Sequence, residues 1–71
     1  MLIKKGVITK GEYENWHISL EYDDIDTGGY YVYIWLNEQG YDDWFETKEA
    51  AESFIKSTYI VKWTVFDILT K

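Results

Sequence analysis

The chain contains no cysteine, no proline and no arginine, and its only histidine is His17. Without Cys there are no disulfides to staple the fold, and one His alone cannot complete a zinc site. Without Arg, the side chain that reads carboxylate, phosphate and guanine bidentately is missing. All seven cations are Lys, set against thirteen acids, for a formal net charge of −6. A surface of that sign repels phosphate backbones and speeds encounter with basic partners, so nucleic acid is excluded as a partner class. No apolar run approaches the roughly 18 residues of a membrane span. Met1-Leu2-Ile3-Lys4-Lys5-Gly6 has no apolar core following its lysines, so it does not read as a signal peptide. The expectation is a cytoplasmic protein with no membrane partner.

Aromatic mass is what the chain does have: four Trp, seven Tyr and three Phe, 20% of its 71 residues. At this length a single small domain, residues 1–71, buries only about 60% of the surface its unfolded form exposes. Each aromatic can bury roughly 150–250 Å², so a few would fill such a core and the others belong at the surface.

The run Gly29-Tyr30-Tyr31-Val32-Tyr33-Ile34-Trp35-Leu36 organises the fold. Aromatic and β-branched residues suit a pleated, half-buried surface. Alternation puts Tyr30, Val32, Ile34 and Leu36 on one side and Tyr31, Tyr33 and Trp35 on the other. Before it, Tyr13 to Tyr22 alternates cleanly, with Trp16, Ile18, Leu20 and Tyr22 opposed to Asn15, His17, Ser19 and Glu21, as in an antiparallel strand with one wet face. Asp23 to Gly29 reads as a loop. Asn37-Glu38-Gln39-Gly40 closes a hairpin, with Gly40 expected in the left-handed position, and Tyr41 to Glu46 forms the next strand. Leu2, Ile3, Val7 and Ile8, split by Lys4-Lys5-Gly6, suggest a short first strand or an arm along an edge. Thr47 is the expected N-cap of a helix over 48–56, whose stripe of Ala50, Ala51, Phe54 and Ile55 is spaced to lie on a sheet. Tyr59 to Phe66 reads as a final strand, with Ile68 and Leu69 packing or pairing at its end. The fold class is therefore α+β: a small antiparallel β-meander of three to four strands, one helix on one face and a C-terminal strand, in the order β-β-β-α-β. The helix is expected over Trp16, Ile18, Leu20, Val32, Ile34 and Leu36, which leaves Tyr31, Tyr33 and Trp35 on the opposite face.

The segment Trp44-Phe45-Glu46-Thr47-Lys48-Glu49-Ala50-Ala51-Glu52-Ser53-Phe54 resembles the sheet-to-helix junction of the arm-binding domains of phage tyrosine integrases and of plant ethylene-response DNA-binding domains. The resemblance implies a three-stranded sheet followed by a helix. In those families the open sheet face is basic and enters the major groove. Here the matching positions are Tyr31, Tyr33 and Trp35, with Glu21 and Asp43 nearby, so the resemblance supports the order of elements and not DNA binding.

No constellation carries catalysis. Asp24-x-Asp26-x-Gly28 fails as a calcium loop, because the twelfth position, where a bidentate Glu belongs, is Trp35. His17 and Ser19 share a strand face, but no third partner or oxyanion donor accompanies them. Asp42 and Asp43 alternate faces, the wrong disposition for a shared acid/base site. No catalytic residue, cofactor or metal ligand is expected. Tyr41-Asp42-Asp43-Trp44 reads in two ways. Rigid aromatic contact area beside carboxylates suits capture of Lys or Arg. Alternatively Trp44 belongs to the core and the Asp pair deters edge aggregation.

The expected function is a non-enzymatic, acidic protein-binding module of inhibitor or immunity type, from a bacterium or phage, with a basic protein partner. The candidate contact residues are Tyr31, Tyr33, Trp35, Tyr41, Asp42, Asp43 and Trp44. Two alternatives stand beside it: a homodimer closed by the aromatic face, and an aromatic platform for a small ligand such as a sugar.

Overall fold

The computed structural model of the chain describes residues 1–64. Five strands and one helix follow in the order β1 (Leu2–Lys10), β2 (His17–Tyr22), β3 (Tyr30–Leu36), β4 (Gln39–Phe45), α1 (Lys48–Thr58) and β5 (Ile60–Trp63). They form one antiparallel sheet with strand order β4-β3-β2-β1-β5. The α+β meander with one covering helix is thus present, with a fourth strand in the meander. The helix carries the chain from the β4 edge across the sheet to the β5 edge.

The N-terminal segment is not an edge arm. β1 is a nine-residue strand paired on both sides, with β2 and with β5. The Lys4-Lys5-Gly6 interruption is absorbed by a register shift between Leu2 and Lys4 and by the pleat beyond it. Lys5 and Val7 lie opposite Ser19 and His17, on the side away from the helix. Lys4 turns the other way, where its ammonium lies 3.5 Å from Glu52 on α1 and 4.4 Å from the centre of the Trp63 ring. Gly6 serves a close approach, because a Cβ there would press into the Lys62 carbonyl and lie 2.9 Å from the Trp63 Cα.

β2 begins at His17 rather than Tyr13. Residues 12–15 form a turn in which Asn15 takes a positive φ of 75° and donates its N–H to the Ile8 carbonyl at 2.7 Å. The β3–β4 hairpin differs from expectation in its pivot. Leu36 pairs with Gln39, so the loop is Asn37-Glu38, and Asn37 holds the positive φ, at 56°. Gly40 is a strand residue opposite Trp35. Asn tolerates the left-handed region through local hydrogen bonding, which a search for Gly overlooks.

Thr47 caps α1 as expected, its Oγ1 accepting from the Ala50 N–H at 3.1 Å. The helix extends two residues past the expected end and stops where Tyr59 becomes extended, its N–H bonding the Ile55 carbonyl. Ala51 and Ile55 are buried and Phe54 half-buried, but Ala50 is exposed. The core is Ile8, Ile18, Leu20, Val32, Ile34, Ala51 and Ile55, bordered by Tyr13, Trp16, Phe45, Phe54, Tyr59 and Trp63 among others. Each fully buried aliphatic side chain contributes about 1.5–3 kcal/mol. The expected continuation of the last strand through Val65 and Phe66, with Ile68 and Leu69, lies outside the described residues.

Candidate functional site

The sheet has two faces of different chemistry, and the cross-strand register assigns every strand residue to one of them. His17, Ser19 and Glu21 of β2 stand opposite Trp35, Tyr33 and Tyr31 of β3, which in turn face Gly40, Asp42 and Trp44 of β4. None of these belongs to the core cluster or its border. Among the described residues, no helix covers this face.

Its aromatics are ordered by mutual stacking. The Tyr31 and Tyr33 rings lie 5.4 Å apart at 15°, and the His17 ring lies 5.3 Å from Trp35 at 24°. Both pairs form because residues two apart on one strand, or directly opposite on adjacent strands, share a face within ring-contact range. Ser19 is buried beneath this layer at 1% exposure, and its hydroxyl donates to Glu21 Oε2 at 3.2 Å. That hydroxyl therefore faces a carboxylate, while the His17 ring lies against Trp35.

Gly40 carries no side chain, which leaves a shallow depression of about 490 Å³ lined in part by Glu21, Tyr33, Trp35 and Asp42. A second hollow, about 350 Å³, brings Glu21, Asp23, Asp24 and Asp42 around Tyr31 and Tyr33. The two meet at Glu21, Tyr33 and Asp42. Burial raises the Tyr33 hydroxyl pKa above the usual tyrosine value, and the surrounding charges of Glu21, Tyr31, Asp42 and Asp23 raise it further. The β2–β4 half of the face is thus aromatic ground under negative potential. Lys5 and Lys62 lie at the β1–β5 end of this side, and the Met1 ammonium, which donates to the Tyr22 carbonyl, borders the second hollow.

Trp44 occupies the rim of the face and is 47% exposed. Its position is specified by the loop between β2 and β3. Asp23 folds that loop by accepting from the N–H groups of Ile25, Asp26 and Thr27 and from the Thr27 hydroxyl. These donors hold the Asp23 carboxyl below the usual carboxylate value. Thr27 Oγ1 in turn accepts from Trp44 Nε1 at 3.0 Å. The indole lies over Gly29 so closely that a Cβ there would clash with its Nε1, Cε2 and Cζ2.

Of the residues singled out in the sequence, Tyr31, Tyr33, Trp35, Asp42 and Trp44 come together on the helix-free face. Tyr41 and Asp43 do not; they pair with Ile34 and Val32 and stand on the helix side of β4. Tyr41, 56% exposed, stacks on Trp16 at 5.8 Å and 8°. Asp43 raises the Tyr59 hydroxyl pKa from that side, second to burial. The tetrad Tyr41-Asp42-Asp43-Trp44 therefore straddles an edge instead of forming one patch, as the period of two along a strand requires. Asp23, Thr27 and Gly29, which seat Trp44, were read in the sequence only as parts of a connecting loop. No family model matches the chain, and comparison with curated proteins and with solved structures likewise finds no match.

Proposed function

We propose that the chain is a non-enzymatic binding module that docks a basic protein surface on the helix-free face of its sheet. The observation that carries this reading is the aromatic layer of Tyr31, Tyr33, Trp35 and Trp44 interleaved with the carboxylates of Glu21 and Asp42. Rings held in place by stacking, as in Tyr31 on Tyr33 and Trp35 on His17, or by a hydrogen bond, as in Trp44, offer contact area at low entropic cost. Carboxylates beside them supply the sign of charge that Lys and Arg seek, and a net charge of −6 accelerates the encounter. The Ser19 hydroxyl is engaged by Glu21 and the His17 ring by Trp35, which favours binding over nucleophilic chemistry. An inhibitor or immunity-type role in a bacterial or phage cytoplasm fits such a module. Among the described residues no helix is long and apolar enough to cross a membrane.

The test is quantitative capture of basic proteins from a bacterial extract at low and high salt, using wild type, Tyr33→Ser, Trp35→Ser and Glu21→Gln/Asp42→Asn, each first checked for native unfolding behaviour. The reading predicts a discrete basic partner that is weakened by each folded variant and released steeply by salt. Capture indifferent to Tyr33 and Trp35 would remove this face from the function.

A further inference from the structure

We propose that β4 is a strand-addition edge, which captures an extended segment bearing two adjacent cations between apolar residues as a sixth strand of the sheet. The inference rests on the reading of the chain as an acidic binding module and names the chemistry of the segment it takes.

The two edges of the sheet differ in how they are protected. Natural edge strands avoid unwanted pairing by being short, by carrying Lys or Pro, or by bulging. β5 has three such features: it is four residues long, it carries Lys62, and its pairing with β1 shifts register between Ile8 and Lys10. β4 has none. It is seven residues long, pairs with β3 without a register shift, contains no Lys or Pro, and is exposed from Gln39 to Trp44. Among the described residues nothing pairs with its outer side.

What β4 presents instead of cations is Tyr41-Asp42-Asp43-Trp44. Asp42 and Trp44 project on the helix-free side, Tyr41 and Asp43 on the helix side. An incoming strand thus meets one aromatic and one carboxylate on each face. Both aromatics are held in place beforehand, Tyr41 by stacking on Trp16 and Trp44 by Thr27 and Gly29. The tetrad is aromatic-acid-acid-aromatic in either direction, so a segment of apolar-cation-cation-apolar pattern is complementary whether it runs parallel or antiparallel. Backbone bonds to the outward N–H and C=O groups supply the pairing, and the flanking side chains choose the sequence.

A second copy of this chain is a poor occupant. Antiparallel self-pairing centred on the strand sets Asp42 against Asp42, and a shift of one residue sets Asp42 against Asp43 or against Tyr41. Like charges directly opposite are destabilising. The acids thus disfavour the self-paired registers that set them against each other, whereas a cation pair complements them.

The experiment titrates the full chain with acetyl-Thr-Val-Lys-Lys-Val-Thr-amide at low salt and records backbone amide shifts. Two further peptides carry N-methyl groups at alternate positions, one in each of the two registers. A strand turns its N–H groups alternately toward and away from its neighbour, so one methylated peptide loses its ladder donors and the other does not. The expected result is shifts concentrated over residues 39–45, one methylated peptide weakened by about tenfold or more and the other left within about twofold. Asp42→Asn/Asp43→Asn should weaken the parent peptide, and exchanging its Lys pair for Glu should abolish binding. Equal binding of both methylated peptides, with shifts on Tyr31, Tyr33 and Trp35, would overturn strand addition while leaving the docking face in place. Absence of peptide binding from a chain that still captures a basic partner through Trp35 would overturn it equally.

Discussion

Replacing Gly29 by Ala tests how the binding face is built. Gly29 is buried and its φ lies outside the left-handed region, so its backbone accepts alanine without strain. The added methyl instead collides with the Trp44 indole, which must swing away. Two contributions are then lost. The Trp44 Nε1–Thr27 hydrogen bond is worth about 1 kcal/mol net. The covered half of the ring, on the order of 100 Å², is worth up to about 2.5 kcal/mol if it is fully released to solvent. Partial reseating and the stiffer unfolded chain offset some of this, so the expected cost is about 1–3 kcal/mol. Urea unfolding measures it, and the Trp44 indole N–H resonance, identified by its absence in Trp44→Ala, reports the ring. In the Trp44→Ala background the methyl's nearest neighbours are gone, and Gly29→Ala should be neutral or stabilising by up to about 0.5 kcal/mol. An equal cost in both backgrounds, or an unmoved indole resonance, would refute the seating of Trp44 on Gly29.

The helix and the titratable groups carry further expectations. Phe54 is half-buried, with its ring 5.0 Å from Phe45 and 5.9 Å from Tyr59, so Phe54→Ala should cost about 2 kcal/mol, below the 3–5 of a fully buried Phe; a cost near zero would detach α1 from the sheet. Asp23 has a lowered folded pKa, so its stabilisation is complete above the ordinary carboxylate value near pH 4 and is lost as pH falls through the folded value. The stability gap between wild type and Asp23→Asn should therefore be full at neutral pH and close in acid; a gap that persists unchanged would contradict the loop's hydrogen bonding. Tyr33 has a raised folded pKa, so its contribution is complete below about pH 10 and declines as pH rises through the folded value. Absorbance titration should show late-ionising tyrosine that Tyr33→Phe diminishes, and an unchanged curve would place Tyr33 in ordinary solvent.

Where residue pattern and burial agreed, the architecture was legible. Alternation through Ile18, Leu20, Val32 and Ile34 identified the covered face, and Tyr31, Tyr33 and Trp35 opposite them identified the open one. Thr47 announced α1, because a side-chain cap acts over three residues and needs no tertiary context. The interior place of β1 was illegible, since Lys4 and Lys5 read as solvent-facing until Glu52 and Trp63 are seen to receive Lys4. The pivot at Asn37 was masked by the nearby Gly40. Tyr41-Asp42-Asp43-Trp44 drew notice as a composition, yet its division between two faces follows only from the strand it belongs to. The seat of Trp44 depends on contacts 15 to 17 residues away, which local pattern does not encode.

A helix-free face kept for another protein, as proposed, leaves the chain alone in solution, and light scattering at low and high salt measures its molar mass. The expected mass is that of the monomer, 8.5 kDa, at both. The charge and the Asp pair of β4 oppose self-association at low salt, and the stacked rings of the face are spaced by carboxylates that a second copy would bury unpaired. A stable dimer indifferent to salt, lost on replacing Trp35 by Ser, would contradict the account and make that face a self-interface.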